Sequence, residues 1–108
     1  LGTNGVSTYE HSSSYMPALL VHEATITSFT HIVIVYINKR PYLYLNGSFI
    51  KNGLASPRTN VYLTGSKIGY GTYGFYDGKI ACIKYYNRSL TESEVKQNFN
   101  ALKGRFGI

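Results

Sequence analysis

The fold of this chain is decided by the stretch FTHIVIVYINKRPYLYLNG, residues 29–47. Its first part, Phe29–Ile37, is rich in β-branched and aromatic residues, which favour strands. Both alternating sets of this run are apolar, a pattern typical of a central strand that is covered on both faces. We therefore predict that Phe29–Ile37 is the core strand of a β protein.

The second part of the stretch predicts a β-hairpin. Residues 38–41 (Asn-Lys-Arg-Pro) have the composition of a turn. In Tyr42–Leu45 the two leucines fall on one face and the two tyrosines on the other, because side chains alternate along a strand. Asn46-Gly47 supplies the two left-handed residues of a type I′ turn, which returns the chain antiparallel through Ser48–Lys51. We interpret Asn52-Gly53 as the next turn.

Shorter runs on both sides extend the same pattern. Strand-like composition with Gly, Asn and Pro between the runs recurs about every ten residues, as in an antiparallel sandwich and not in βαβ units. We count about seven strands in all. Besides those above, strands are expected at Ala18–Thr25, Asn60–Thr64, Lys67-Ile68, Lys79–Tyr86 and within Gly2–Tyr9.

A helix is expected at the end of the chain. Residues 91–94 (Thr-Glu-Ser-Glu) have the pattern of a capping box, and Leu90 and Val95 form the accompanying hydrophobic staple. The apolar stripe of this helix consists of Val95, Phe99 and Leu102. Gly104 is the expected C-cap.

Length and composition bound the class of protein. A chain of 108 residues with 44% hydrophobic residues fits one domain, residues 1–108, with one modest core. No apolar run approaches the ~20 residues that span a bilayer, so we expect no membrane span. The single Cys82 excludes an intrachain disulfide and a cysteine-based zinc site. Because the chain opens at Leu1, with neither an initiator Met nor a signal peptide, we expect a fragment of a longer chain.

The positive charge of the chain is scattered. The formal net charge is +6, but Lys39 and Arg40 are the only adjacent basic residues. Isolated lysines usually solvate the exposed face of a sheet and protect its edges. Because no nucleic-acid recognition motif accompanies the charge, we expect no nucleic-acid partner.

The later part of the chain carries a family resemblance. Phe75–Val95 resembles the closing signature of laminin G-like domains of the concanavalin A-like lectin/glucanase superfamily, in which a strand runs into Tyr-Asn-Arg-x-Leu and a short Glu-rich helix. Phe29–Tyr36 is similar to the aromatic-x-His-x-x-x-x-Tyr strand of that family, and Leu43–Gly47 to its Leu-Tyr-x-Asn-Gly hairpin. Several motifs in order are more specific than any one alone. The resemblance implies an all-β, antiparallel jelly-roll sandwich with one short C-terminal helix.

That fold contains more strands than this chain supplies, so we expect the chain to be its later half. A half sandwich leaves strand edges unpaired and part of a sheet uncovered. Three solutions stay open: an upstream part of the same protein completes the domain, residues 1–15 and a neighbouring chain do so by strand addition, or the chain is a compact stand-alone variant. The expected partners therefore include other subunits, and the expected states include a homo-oligomer.

A glycine-rich stretch, Gly69–Gly74 (GYGTYG), matches G-x-G-x-x-G. A dinucleotide fingerprint also needs a helix that opens within the motif and an acidic residue some twenty residues later. Here the stretch runs into a predicted strand instead. We interpret its glycines as loop residues that adopt positive φ.

The same loop has the composition of a sugar-binding site. Tyrosine rings can contact the C–H face of a sugar, while carboxylate and amide groups bind its hydroxyls. The candidate ligand-binding residues are Tyr70, Tyr73, Tyr76, Asp77, Arg58 and Asn60. The last two join the site if their loop lies at the same end of the sandwich. The alternative is that the tyrosines cap the sandwich and fill space.

Catalytic and metal-binding patterns are missing from the sequence. Glucanases of the superfamily carry a Glu-x-Asp-x-x-Glu strand, and none of the five acidic residues forms such a motif. A calcium site needs several oxygen ligands, usually more than one carboxylate. We therefore expect no enzyme, no catalytic residue, no metal and no cofactor. His31 is expected to be hydrogen-bonded beside the core.

Two functions fit these expectations. The first is a non-catalytic carbohydrate-binding or adhesion module of a bacterial surface or phage virion protein, with a glycan or cell-surface polysaccharide as partner and an extracellular, cell-surface or virion location. The second is a structural subunit or decoration domain of such an assembly, with no ligand of its own. Both rest on analogy of fold.

Overall fold

The structure is a computed structural model that describes residues 5–10, 18–61, 67–71 and 74–108. The described strands are β1 (Gly5–Thr8), β2 (Leu20–Glu23), β3 (Ile32–Ile37), β4 (Arg40–Leu45), β5 (Ser48–Asn52), β6 (Tyr70–Gly71) and β7 (Gly74–Phe75), and the helix is α1 (Glu92–Phe106). Strands pair antiparallel in three sets, β1-β2, β3-β4-β5 and β6-β7. The predicted fold class, antiparallel β with one short C-terminal helix, is confirmed.

The hairpin of β3 and β4 has a tighter turn than predicted. Its two turn residues, Asn38 and Lys39, adopt φ of 50° and 64°. This is the left-handed region that a two-residue type I′ turn requires. The next two residues, Arg40 and Pro41, already pair with Ile37 and Tyr36, so they belong to β4. The predicted turn over residues 38–41 is therefore shortened to its first two residues.

The second hairpin, β4 to β5, turns at the predicted Asn-Gly pair. Asn46 and Gly47 have φ of 49° and 79°. The Asn46 side chain also accepts a hydrogen bond from the backbone N–H of His31 at 2.9 Å, and its own N–H donates to the His31 carbonyl at 2.9 Å. Asn46 thus shapes the turn and also fixes the start of β3. Its contacts with His31 connect the two upstream motifs of the family resemblance, the strand that contains His31 and the Leu43–Gly47 hairpin.

The β3-β4-β5 sheet is the middle layer of the molecule. The core on one face is formed by Val6, Leu20 and Leu43, and this cluster joins the sheet to the β1-β2 ribbon. The core on the other face is formed by Val35, Tyr44, Leu90 and Val95, and this cluster joins the sheet to α1. Leu43 and Tyr44 therefore point to opposite faces, as their alternation predicts.

The position of β3 in its sheet differs from the prediction. Within the described part of the chain, β3 pairs only with β4 and lies at the edge of the sheet. It is apolar on both alternating sets because the ribbon covers one face and α1 covers the other. Such a pattern reports coverage of the two faces and carries no information about the second edge of the strand. The prediction of a core strand is therefore confirmed, and among the described strands this core strand is an edge strand.

Asn52-Gly53 does not form the predicted turn. Asn52 ends β5, and the Gly53 N–H donates to the Pro41 carbonyl at 2.8 Å, which continues the pairing with β4. A Cβ at Gly53 would lie 2.3 Å from the Leu19 carbonyl oxygen. The glycine is therefore explained by a close approach of backbone and not by a reversal of the chain.

Among the strands predicted on either side of residues 29–51, the strongest prediction was Lys79–Tyr86, and it was wrong. All eight residues are exposed, and none is paired with another strand in the described parts of the chain. A strand requires a partner for its N–H and C=O groups, which strand-forming composition alone does not supply.

The other strands predicted on either side of residues 29–51 are found only in part. Gly2–Tyr9 yields β1, and Ala18–Thr25 shortens to β2. The pair Lys67-Ile68 precedes β6 without pairing. Of Asn60–Thr64 only residues 60 and 61 are described, outside any strand, and the rest lies outside the described residues.

Helix α1 begins at the predicted capping box. The Glu94 N–H donates to the Thr91 hydroxyl at 3.2 Å, and the Thr91 N–H donates to the Glu94 carboxylate at 3.0 Å. The C-cap, however, is Gly107 (φ 70°) and not Gly104. The helix continues because Phe106 packs against Phe29, with ring centroids 5.7 Å apart.

The N-terminal cap of α1 gives a pH-dependent prediction. A hydrogen bond from the Arg88 guanidinium, followed by one from the Thr91 backbone, lowers the pKa of Glu94 from 4.5 to about 2. A carboxyl whose pKa is lowered on folding stabilises the native state above its unfolded pKa and loses that effect as the pH falls towards 2. In an NMR titration we expect Glu94 to titrate near 2, and Arg88→Ala to raise this pKa towards 4.5. An unchanged value in Arg88→Ala would contradict the assignment.

Candidate functional site

The glycine-rich stretch forms a short hairpin. Tyr70 pairs with Phe75 and Gly71 with Gly74. Gly69 and Gly74 have φ of 83° and 107°, so the predicted positive φ is confirmed at these two positions. The Tyr76 N–H donates to the Gly69 carbonyl at 2.7 Å and closes the base of the hairpin. A dinucleotide-binding motif would need the N-terminus of a helix at these glycines, and the structure has a hairpin there.

Two aromatic rings of this hairpin face solvent. Tyr70 is 51% exposed and Phe75 is 87% exposed, and their ring centroids lie 6.0 Å apart at a tilt of 32°. The Lys67 ammonium lies 5.3 Å from the centre of the Tyr70 ring, within the range of a cation–π contact. A phenylalanine side chain left this exposed keeps most of its apolar surface in water, so any apolar ligand surface that covers it gains free energy.

Tyr76 and Asp77, two further candidate residues of this loop, come directly after β7 in the sequence. Tyr76 is half-buried, and its ring lies against the Gly78 backbone, since a Cβ at Gly78 would come within 2.5 Å of the Tyr76 Cζ atom. Asp77 is exposed between them. The structure thus places Tyr70, Tyr76 and Asp77 on one short segment. Tyr73 lies outside the described residues.

Arg58 is held at a different part of the fold, beside the turn between β3 and β4. Its carbonyl accepts from the Lys39 ammonium at 2.8 Å, and its N–H donates to the Ser56 hydroxyl at 3.1 Å. Its guanidinium Nε lies 3.9 Å from a carboxylate oxygen of Glu10. Asn60 is exposed two residues further on. These contacts join Arg58 to the residues beside the β3–β4 turn.

A buried carboxylate at this turn was missed by the sequence analysis. The Glu10 side chain is only 9% exposed, and its Oε2 atom accepts from the buried Ser56 hydroxyl at 2.6 Å. Burial, and then the charge of Glu10, raise the pKa of Tyr36 nearby. Since 46 residues separate Glu10 from Ser56, no local pattern could have revealed the contact.

His31 has a structural environment. Burial, and then the positive charge of Lys84, lower its pKa, so the ring is neutral at pH 7. The ring packs against Phe99 with centroids 6.0 Å apart, and its buried Nδ1 atom has no hydrogen-bond partner among the residues that the structure describes. The expected hydrogen bond at the ring is therefore not found at Nδ1, and the backbone of His31 makes the contacts to Asn46 instead.

Other surfaces give less definite sites. An open groove of about 620 Å³ lies over β1 and β2, lined in part by Ser7, Tyr9, Val21 and Glu23. In the described ranges no three His, Cys, Asp or Glu side chains are placed to share a metal ion. No described helix combines the length and apolarity needed to cross a membrane.

Two residues at or beside the hairpin were not among the predicted candidates. Phe75 lies opposite Tyr70 in the register, and Lys67 covers the Tyr70 ring. The position of Phe75 between the candidates Tyr73 and Tyr76 in the sequence is a signal that could have identified it. The contact of Lys67 depends on side-chain placement, which no sequence pattern specifies.

The described part of the chain combines antiparallel layers with an Asn-Gly hairpin and a capped C-terminal helix. Residues 4–96 match the laminin G-type family model of the concanavalin A-like lectin/glucanases superfamily. The chain belongs to this superfamily, and the resemblance carried by its motifs is confirmed.

One solved structure with a similar fold is that of an S-layer domain-containing protein from Clostridium thermocellum, residues 221–444. The TM-score is 0.50 at 17% sequence identity, and the match covers 82% of this chain and 48% of that one. This chain therefore spans about half the length of the structure it matches. No curated protein matches it.

Proposed function

We propose that the chain is a non-catalytic carbohydrate-binding module of a surface or virion protein. Its ligand is a glycan or cell-surface polysaccharide, and its binding surface is the β6–β7 hairpin with the residues that flank it. The observation that carries this proposal is the pair of exposed rings of Tyr70 and Phe75 on one hairpin.

The chemistry of the hairpin suits a sugar. Aromatic rings bury the C–H face of a pyranose, and carboxylates accept hydrogen bonds from its hydroxyls. Tyr70 and Phe75 offer the apolar surface, Asp77 is an exposed acceptor two residues after Phe75, and the Lys67 ammonium can pair with an acidic sugar. In this proposal Tyr73 adds a third ring. Arg58 and Asn60 bind only a ligand long enough to extend beyond the hairpin.

The placement of the acidic residues supports a non-catalytic role. Retaining glycosidases need two carboxyl groups about 5 Å apart. Glu94 is engaged in the helix cap with Arg88, and Glu10 is buried against Ser56. Asp77 is exposed two residues after the end of β7. The superfamily includes both lectins and glucanases, so this argument rests on the residues of this chain.

An extracellular, cell-surface or virion location is part of the proposal. It draws support from the superfamily and from the surface-layer protein of similar fold. The alternative function, a structural subunit or decoration domain without a ligand, is favoured by a different observation, the exposed apolar run Lys79–Tyr86.

The proposal is tested by glycan-array screening of the purified chain, followed by calorimetry on the sugars that bind. We expect Phe75→Ala and Tyr70→Ala each to weaken binding by about tenfold or more, because an aromatic stacking partner is worth about 1.5 kcal/mol. Tyr73→Ala tests the third ring in the same way.

Tyr9→Ala is the matched control, since Tyr9 is as exposed as Tyr70 but lies outside the hairpin. The affinity of Tyr9→Ala for the glycan should equal that of the unsubstituted chain. A folded chain that binds no glycan would overturn the proposal, and loss of binding in Tyr9→Ala alone would move the site to the groove over β1 and β2.

A further inference from the structure

His31 lies directly before β3 and contacts the C-terminal half of α1. Its half-buried ring packs against the Phe99 ring, with centroids 6.0 Å apart. Phe99 also lies against the second hairpin turn, since a Cβ at Gly47 would come within 2.9 Å of the Phe99 Cδ1 atom. We propose that His31 is a pH-sensitive latch, whose protonation releases the C-terminal half of α1, residues 99–106, from the sheet. This inference is independent of glycan binding.

The His31 ring is placed so that protonation is unfavourable. Its Nδ1 atom is buried, and no described group forms a hydrogen bond with it. A neutral imidazole carries one N–H, whereas the protonated ring carries an N–H at both nitrogens. The protonated ring therefore has a buried Nδ1–H donor without an acceptor, and such a donor is most costly when it belongs to a charged group. Water reaches Nδ1 only if the ring leaves its site beside Phe99.

The charges around the ring are positive. Burial, and then the charge of Lys84, lower the pKa of His31. Lys103 of α1 lies over the other partner in the contact, with its Nζ atom 5.8 Å from the centre of the Phe99 ring. Asn46 contacts the His31 backbone through uncharged groups, and the described ion pairs do not include His31. Protonation therefore adds a third positive charge beside two lysines, without a carboxylate to offset it.

The C-terminal half of α1 depends on this part of the sheet. Phe106 packs against Phe29, with ring centroids 5.7 Å apart, just as Phe99 packs against His31. The charged residues of this half, Lys103 and Arg105, are both basic. A positive charge at the start of β3 thus repels the half-helix that rests there.

The N-terminal half of α1 is attached by contacts that do not involve His31. Val95 is fully buried in the core cluster on this face of the sheet. Thr91 and Glu94 form the capping box, and Arg88 pairs with the Glu94 carboxylate. Protonation of His31 leaves these contacts in place, so we expect partial release of the helix and not global unfolding.

The direction of the pH effect follows from linkage. The pKa of His31 is lower when the ring is docked than the value of 6.5 for a free ring. A proton therefore binds more tightly to the released state, and the docked state loses stability as the pH falls below 6.5. Between pH 7 and pH 5 the equilibrium constant for release rises by up to about 25-fold, the limit for one proton that binds the free ring.

The test is hydrogen exchange of the 108-residue chain, followed by NMR between pH 7 and pH 5 and corrected for the intrinsic pH dependence of exchange. The His31 ring is titrated in the same samples. We expect the amides of residues 99–106 to lose protection as the pH falls, while those of residues 95–98 keep theirs. Constant protection of residues 99–106, equal loss along the whole helix, or a His31 pKa at or above 6.5 would each overturn the proposal.

Three variants sharpen the test. His31→Gln removes the titrating group and should abolish the pH response of residues 99–106. His22→Gln is the matched control, because His22 lies in β2 and pairs with Val6 of the β1-β2 ribbon. It should keep the full response. A full response in His31→Gln, or its loss in His22→Gln, would contradict the latch.

Lys84→Gln tests the same latch with the histidine in place, and therefore also serves if His31→Gln does not fold. Removal of the neighbouring positive charge should raise the pKa of His31. The docked and released states then differ less in proton affinity, so the loss of protection between pH 7 and pH 5 should be smaller. An unchanged His31 pKa together with an unchanged response would contradict the role of charge in the latch.

Discussion

Replacing Leu43 with alanine should lower the free energy of unfolding by about 2–5 kcal/mol. Leu43 is fully buried at the centre of β4 and packs with Val6 and Leu20, which belong to the β1-β2 ribbon. Truncation removes three buried carbons and leaves a cavity between the two layers. Because a domain of this size has a free energy of unfolding of about 5–15 kcal/mol, the loss is a large fraction of its stability.

The effect of Leu43→Ala is measured by urea unfolding followed by circular dichroism. The matched control is Leu54→Ala, in which the same three carbons are removed from an exposed side chain. We expect the control to change the free energy of unfolding by no more than about 0.5 kcal/mol. Equal effects of the two substitutions would mean that the sheet and the ribbon do not share a core.

Replacing Val95 with aspartate should separate α1 from the sheet. Val95 is fully buried and forms the second core cluster with Val35, Tyr44 and Leu90. A carboxylate there has no partner of opposite charge in the cluster, and an uncompensated buried charge costs about 3–5 kcal/mol. We expect either global destabilisation of that size or a helix that no longer packs on Val35 and Tyr44.

Gln97→Asp is the matched control for Val95→Asp, because it introduces the same charge at an exposed position two residues along α1. Its unfolding midpoint should stay close to that of the unsubstituted chain. Hydrogen exchange of the α1 amides distinguishes local release of the helix from global unfolding. A stable Val95→Asp variant with α1 protected would show that α1 does not rest on this face of the sheet.

The local elements of the fold were predictable because their causes are local. The Asn46-Gly47 turn follows from the tolerance of these two residues for positive φ, and the start of α1 follows from the reciprocal bonds of Thr91 and Glu94. The alternation of Leu43 and Tyr44 followed from the geometry of a strand. Each of these features involves residues that are neighbours in the sequence.

Of the candidate site, the sequence predicted the composition and only part of the arrangement. Tyr70, Tyr76 and Asp77 lie on one segment because they are close in the sequence. Arg58 is bound beside Glu10 and Ser56, a contact between segments that no periodicity reports. The exposure of Phe75 is likewise set by the tertiary packing around it, which the sequence does not specify.

By itself, the sequence determined the antiparallel hairpins at Asn46-Gly47 and the capped C-terminal helix, because turn and cap preferences act over a few residues. The superfamily followed from the resemblance of its ordered motifs, which the family match confirms. Only the tertiary structure decided that β3 is an edge strand among the described strands, and that Lys79–Tyr86 is exposed with no partner strand among the described residues. The physical reason is that strand-forming composition records a preference for an extended, half-buried backbone. The partner that satisfies its hydrogen bonds is supplied from elsewhere in space.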